Sequence, residues 1–261
     1  ALVARPDVPL AEACLEAASH LGHPVGVAEG TAALDALAVE VGERCGTADG
    51  PPALDRVVAV LCDELGFAGD PERYYDLRNS MLGDVLARRR GIPITLAVVV
   101  IEVAERLGAG ATGVGMPGHF LVGDGPVPSQ WFDPFAGPAP IDAAAARARF
   151  RSIHGDEVAF DPAFLRPTPA PQIVGRVLAN AAGVLQRGGD PRRLLRALEL
   201  RSEIPGVGTT PRARVELAEA YRAVGRVGDA VATLEAVRDQ VDPRRRAVVD
   251  ERIARLRAAL S

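Results

Sequence analysis

The feature that most limits what this chain can fold into is the stretch from Pro93 to Leu107, Pro-Ile-Thr-Leu-Ala-Val-Val-Val-Ile-Glu-Val-Ala-Glu-Arg-Leu. Its apolar residues recur at three and four, and the opposite side is again mostly Ala, Val and Ile. A helix with one apolar stripe lies on a surface, whereas a helix that is apolar nearly all round has to be enclosed. Pro93 at the first helical position forfeits no hydrogen bond, because its N–H would have been unpaired there, and Gly108 is an ordinary stop. A domain wrapped around this helix is therefore expected. Short alternating apolar runs follow at Ala111 to Met116, Phe120 to Val122 and Gln130 to Phe132, and they predict an antiparallel meander. His119 opens its second strand, and Asp133 ends its third.

Facing side chains on paired strands lie about 5 Å apart, so His119 and Asp133 can meet. The pair has two readings, a hydrogen-bonded support for the sheet or a general base with its orienting carboxylate. Thr95, in the first turn of the helix, carries the nearest hydroxyl. An offset of two residues turns it about 200° from position 93, so it is expected to bond to the backbone.

Four segments carry a resemblance: Tyr74-Tyr75-Asp76-Leu77-Arg78-Asn79-Ser80, Arg89-Arg90-Gly91-Ile92-Pro93-Ile94-Thr95-Leu96, Gly115-Met116-Pro117-Gly118-His119-Phe120-Leu121-Val122 and Asp133-Pro134-Phe135. The order of helix start, strand His and strand-end Asp resembles the papain-like transglutaminase core. There a Cys at the helix start is the nucleophile, its thiolate favoured by the helix terminus, with His as base and the carboxylate fixing the imidazole tautomer. More narrowly, the four motifs resemble the bacterial SirB-like family, which joins a transglutaminase-like domain to tetratricopeptide-like helices. That resemblance implies an α+β fold: a papain/transglutaminase-like core with a buried central helix and small antiparallel sheet, then an all-α helical repeat. It also implies that Pro93 stands in the Cys position, as is usual in that family. Leu77 departs from the family pattern, which more often has Pro there. With Pro93 unable to attack anything, the resemblance points to a non-catalytic binding or scaffolding protein. The competing reading is a hydrolase, acyl-transferase or small-molecule tailoring enzyme that uses His119 and Asp133.

Before the central helix, apolar periods predict helices at Leu10 to Leu21, Thr31 to Cys45 with Thr31 as cap, and Leu54 to Leu65. Between Gly66 and Arg90 the chain is unusually polar. Asn79 or Ser80 is placed to cap a helix ending at Arg88-Arg89-Arg90, where positive charge favours the C-terminal dipole. Tyr74, Tyr75, Asp76, Arg78 and Asn79 are either a loop that satisfies buried backbone or one wall of a cleft beside His119.

After Asp133, a short helix from Ile141 to about Phe150 precedes Arg166-Pro167-Thr168-Pro169-Ala170-Pro171, which reads as a stiff linker. Two domains are thus expected, residues 1–165 and 166–261. In the second, the stretch from Leu178 to Leu200 repeats from Val215 to Leu234 at an offset near the tetratricopeptide period, and a last helix is expected from Arg244 to Leu260. Such repeats bind proteins along a concave face, unless the first domain fills it.

Charge and composition narrow the function. Residues 1–165 hold 12 Arg and 23 acids, and residues 166–261 hold 18 Arg and 11 acids, an asymmetry that suits docking of the halves or an acidic partner. Nucleic acid is disfavoured, since the arginines are dispersed among acids and the second half has one aromatic, Tyr221. No run approaches the roughly 18 apolar residues of a membrane helix, and the expectation is a cytoplasmic protein that meets a protein partner through its repeat or cleft, or a small molecule. Cys14, Cys45 and Cys62 sit in apolar helical patterns without metal-like spacing and are expected to be buried and reduced, Cys62 serving as a nucleophile only if folding brings it near His119, and no further ligand completes a site with His20 and His23. No cofactor or metal is expected.

Overall fold

The computed structural model describes residues 5, 7, 9–46, 50–240 and 243–258. Helix α5 (Pro93–Arg106) is buried at every position from Pro93 to Ala104, Thr95 and Glu102 included. Each Val, Ile or Leu so enclosed stabilises the fold by about 1.5–3 kcal/mol, and the other elements supply the cover. Helices α1 (Leu10–His20), α2 (Val27–Cys45), α3 (Leu54–Ala59) and α4 (Leu82–Arg88) pack on it. A strand pair covers its start: β1 (Ala68–Gly69) runs parallel to β2 (Arg90–Gly91). The sheet β3 (Thr112–Val114), β4 (Leu121–Gly123), β5 (Trp131–Phe132) and β6 (Pro140–Ile141) is antiparallel, in that order, with β3 and β4 against α5. Helix α6 (Ala143–His154) follows, capped by Asp142, whose carboxylate accepts from the Ala145 N–H at 2.8 Å.

The α+β arrangement and the enclosed helix are as the periodicity predicts. Two local readings are corrected. Helix α2 begins a turn earlier than expected, at Val27, so Thr31 is internal and does not cap it; its buried hydroxyl has no hydrogen-bond partner among the described residues. Neither Asn79 nor Ser80 caps α4, which starts after Met81 without a side-chain cap. The Asn79 amide instead donates to the Arg73 carbonyl at 2.8 Å. Arg88 stands in the last turn of α4, where its charge favours the dipole as expected, and the triplet also fastens the loop. Arg88 reaches Asn79 Oδ1 at 3.1 Å and Asp70 at 3.3 Å. Arg89, in the left-handed region at φ 56°, donates to the Leu65 carbonyl at 2.8 Å, and Arg90 to that of Gly66 at 2.6 Å. Strands β1, β2 and β6 are two residues each, too short for a period-two signal.

The proline-rich stretch is not a free tether. Strand β3 is the sheet edge, whose open backbone groups invite pairing. The Thr168 N–H donates to the Gly113 carbonyl at 2.7 Å, and its hydroxyl accepts from the Gly115 N–H at 2.8 Å, which closes part of that edge. Helix α7 (Ala170–Arg187) begins at once and packs on α1, on α5 and on the tight turn Leu77–Ser80. Helices α8 (Pro191–Ser202), α9 (Pro211–Ala223), α10 (Val227–Glu235) and α11 (Pro243–Ala258) complete the chain; Leu260, the expected end of the last, lies outside the described residues. One apolar core runs from Ala11 through α5 to α7, α8 and α9, while α9, α10 and α11 share a smaller one. Across the junction, arginines reach main-chain carbonyls: Arg193 donates to Leu21 at 2.8 Å.

Glu102 is the one charged residue among the buried positions of α5. Only 6% exposed, it accepts from the Ala11 N–H at 2.7 Å and from Arg106 at 2.6 Å, so it ties the start of α1 to the central helix. Glu102→Ala leaves a buried N–H and a guanidinium short of an acceptor, and is expected to cost about 2–4 kcal/mol in denaturant unfolding.

Candidate functional site

The segment carrying His119 is a tight turn between β3 and β4. Gly118 sits at φ +74°, a conformation that side chains with a Cβ rarely adopt, and a Cβ there would lie 2.8 Å from Ile153 and 2.9 Å from the His154 ring. The end of α6 is thus pressed on this turn, with His154 Nε2 3.0 Å from the Pro117 carbonyl. Asp133 leaves β5 at the start of the 133–137 turn, whose Ala136 and Gly137 N–H groups return to its carbonyl.

Folding brings the two together. His119 Nε2 lies 2.7 Å from Asp133 Oδ2. The same oxygen accepts from Arg149 of α6 at 3.2 Å, and Oδ1 accepts from the Phe135 N–H at 3.2 Å. In a neutral ring that donates through Nε2 to the carboxylate, Nδ1 would be an acceptor. His119 is 8% exposed and Asp133 4%, so the pair is nearly closed off. A cavity of about 420 Å3 opens beside Asp133, between Ala136, Gly137, Ile141, Ala145 and Arg149; His119, Pro93 and Thr95 are not in its walls.

Among the described residues, no Ser, Thr or Cys side chain hydrogen-bonds to this pair. Pro93 is the first residue of α5 and is buried. Thr95, 1% exposed, donates its hydroxyl proton to the Asn79 carbonyl at 2.7 Å and accepts from the Ile92 N–H at 3.2 Å, which satisfies one orphan donor of the helix start. Cys62 lies in the wide π-type turn Val60–Glu64 that continues α3. Burial, then Asp63 and Asp133, push its thiol up to about 12, so it is protonated at neutral pH. Cys14 is likewise pushed up to about 12, by burial and then Glu102.

The polar loop divides into two groups. Asn79 is fully buried and structural. Asp76 caps the tight turn through the Arg78 N–H at 3.0 Å and pairs with the Arg78 guanidinium at 2.6 Å; this exposed pair holds the Asp76 carboxyl below its ordinary value and the Arg78 guanidinium above it. Tyr74 and Tyr75 instead line up with the pair. Ring centroids are 5.3 Å apart from Tyr75 to Tyr74, 6.0 Å from Tyr74 to Phe135 and 6.5 Å from Phe135 to His119, all edge-to-face. Gly69 makes room, since a Cβ there would lie 2.5 Å from the Phe135 ring.

Sequence reading missed Arg149 and Arg176. Arg149 follows buried Ala146 by three residues and precedes buried Phe150, so the helical period places it at the margin of the inner face; nothing local marks it as Asp133's partner. Arg176 of α7 donates to the carbonyls of Met116 at 3.1 Å and His119 at 2.9 Å and lies over the Phe120 ring, fixing the turn from the far side. Burial lowers its pKa. His20 and His23 are occupied elsewhere: His20 Nδ1 accepts from Arg196 at 2.9 Å, and His23 Nε2 meets Asp84 at 3.0 Å. No metal-holding cluster occurs among the described residues, and none of their helices is long and apolar enough to cross a membrane.

Comparison with known proteins places this geometry in context. The model of the transglutaminase-like superfamily matches residues 28–179, which include α2 to most of α7 and hence the whole His–Asp site. A UPF0162 protein of Xylella fastidiosa is 46% identical over 131 residues, 48% of this chain and 46% of that protein. One of Vibrio cholerae is 32% identical over 129 residues, with the same coverage. Human F-box only protein 21 is 40% identical over 63 residues, 24% of this chain and 10% of that protein. The chain spans about half the length of the bacterial relatives. No solved structure matches.

Two outcomes follow from this geometry. Gly118→Ala combines a disfavoured backbone with a clash against α6, and is expected to cost about 1–3 kcal/mol in thermal or denaturant unfolding. For the thiols, raising a pKa from 9.0 to about 12 lowers the thiolate fraction at pH 8 by about 1,000-fold. Iodoacetamide at pH 8 should therefore label Cys14 and Cys62 far more slowly in the folded than in the unfolded chain. The folded state holds these protons more tightly, so the associated stability is complete below pH 9 and is lost as pH rises toward 12.

Proposed function

The chain belongs to the transglutaminase-like superfamily, and from that premise we propose that it is a non-catalytic, protein-binding member of SirB-like type. In this reading residues 1–165 form the transglutaminase-like part, and residues 166–261 form tetratricopeptide-like helices, α7 with α8 and α9 with α10, that take part in binding. Three free cysteines fit a reducing, cytoplasmic setting.

One observation carries the reading: the start of α5, where the superfamily's thiol nucleophile belongs, holds a buried proline, and the adjacent hydroxyl of Thr95 is committed to the Asn79 carbonyl. His119 and Asp133 are then a supported pair. Asp133 accepts from an imidazole, a guanidinium and a backbone N–H, and these contacts stabilise the two turns and α6 without turnover. A second reading keeps the pair as a base that activates water, a substrate or an unexpected nucleophile, in a hydrolase, acyl-transferase or small-molecule tailoring enzyme. The observation in its favour is the 2.7 Å contact through Nε2, which leaves Nδ1 as an acceptor.

The full chain, given a glutamine-containing protein with a fluorescent primary amine, and separately p-nitrophenyl acetate, is expected to show no turnover above buffer. His119→Ala should give the same result. Turnover that vanishes in a folded His119→Ala variant, as judged by circular dichroism, overturns the non-catalytic reading in favour of the second.

A further inference from the structure

Two arginines of α7 lack a counter-charge and lie on one face of that helix. Arg176 and Arg187 are eleven residues apart, three helical turns, which separates them by about 16 Å along one side. Among the described residues neither has a carboxylate partner, whereas most arginines of α8 to α10 are paired with acids, Arg201 with Glu216 and Arg226 with Glu199 among them. Between them on the same side lies Asn180, half-buried, with no hydrogen bond to its side chain among the described residues. Half-buried Arg176 bonds only to carbonyls and exposed Arg187 lies on an aromatic ring, so among the described residues no acid offsets either charge, and a carboxylate is the best complement of each.

The aromatic file described above runs beside this stripe. At one end Arg187 stacks 4.0 Å over the Tyr75 ring, which is 60% exposed. At the other, Arg176 bonds to the His119 carbonyl, 6.5 Å in ring separation from Phe135. Tyr74 lies between them, close enough for Arg176 to act on its hydroxyl. The loop adds no net negative charge to repel an anion, because Asp70 is paired with Arg88, Asp76 with Arg78, and exposed Glu72 adjoins exposed Arg73. We propose that the seam between α7 and the 73–76 loop, from Tyr75 and Arg187 to Arg176, is the docking site for an extended acidic segment of a protein partner. Carboxylates of that segment meet the two guanidinium groups while its backbone or apolar side chains cross Tyr74 and Asn180. At about 3.3 Å per extended residue, the 16 Å span sets the two carboxylates about five residues apart. The proposal rests on the protein-binding reading and names its site and the chemistry of the partner.

The test is selection of a random decapeptide library displayed on phage against the full chain at low salt. The expected result is enrichment of peptides with two acidic residues four to six positions apart, whose synthetic versions lose about tenfold or more in affinity against Arg187→Gln and against Tyr75→Ala. Both side chains are exposed, so neither change threatens folding. Affinity should also fall as salt is raised, as for any partly exposed charge pair. Enrichment of neutral peptides, or of acidic ones indifferent to both variants, overturns this site while leaving protein binding in place. A library that enriches nothing overturns the site and removes support for the protein-binding reading together.

Discussion

The rest of the structure depends on the burial of α5 on every side. A helix with Val98, Val99 and Val100 in succession, each at most 2% exposed, has no face to leave to water. Cover therefore has to come from several directions, and the order of the chain is the order in which cover arrives: helices first, then the β1–β2 pair at its start, then the sheet, then α7. The two polar residues inside it mark where neighbours are attached. Thr95 ties the helix start to the loop at Asn79, and Glu102 ties its later turns to α1. Both bonds join segments far apart in sequence, so the enclosed helix fixes the positions of groups it does not itself carry.

That constraint also explains what could be read from the residues alone. The period of α5 and the alternation from Ala111 to Phe132 are strong because long apolar elements leave a regular trace, and His119 and Asp133 stand out against them at strand ends. Elements held by single side chains leave none. The β1–β2 pair is two residues long and is held in place by Arg89 and Arg90 reaching back to Leu65 and Gly66. Asn79 has the composition of a helix cap, but Asp70, Arg73 and Arg88 offered it a buried network, and the network won over the local preference. Thr31 was outcompeted in a different way, because the helix starts a turn earlier, directly after Gly26. Arg176 was invisible for the plainest reason: its partners are carbonyl oxygens, which every residue possesses.

The boundary expected between residues 165 and 166 is not a break in packing at α7. The helix's N-terminal half belongs energetically to the first part, since Ile173 and Val177 sit in the core shared with α5 while Arg176 grips the His119 turn. Its other side pairs with α8. The linker before it closes the sheet edge instead of spanning a gap. Helix α7 thus touches the His119 turn through Arg176 and packs on α8 with its other side.

The His–Asp pair draws its meaning from this surrounding. A catalytic pair gains from an approach for substrate and a nucleophile within reach; a supporting pair gains from satisfied acceptors and exclusion of water. Asp133 has three donors on its carboxylate, and both residues are almost wholly covered. Removing such a carboxylate would strand an imidazole and a guanidinium and loosen the two turns that α6 bridges, a penalty independent of any reaction. On the proposed reading the pair is accounted for by stability alone, and the proposed docking contacts lie farther out, where Tyr75 and Arg187 are exposed.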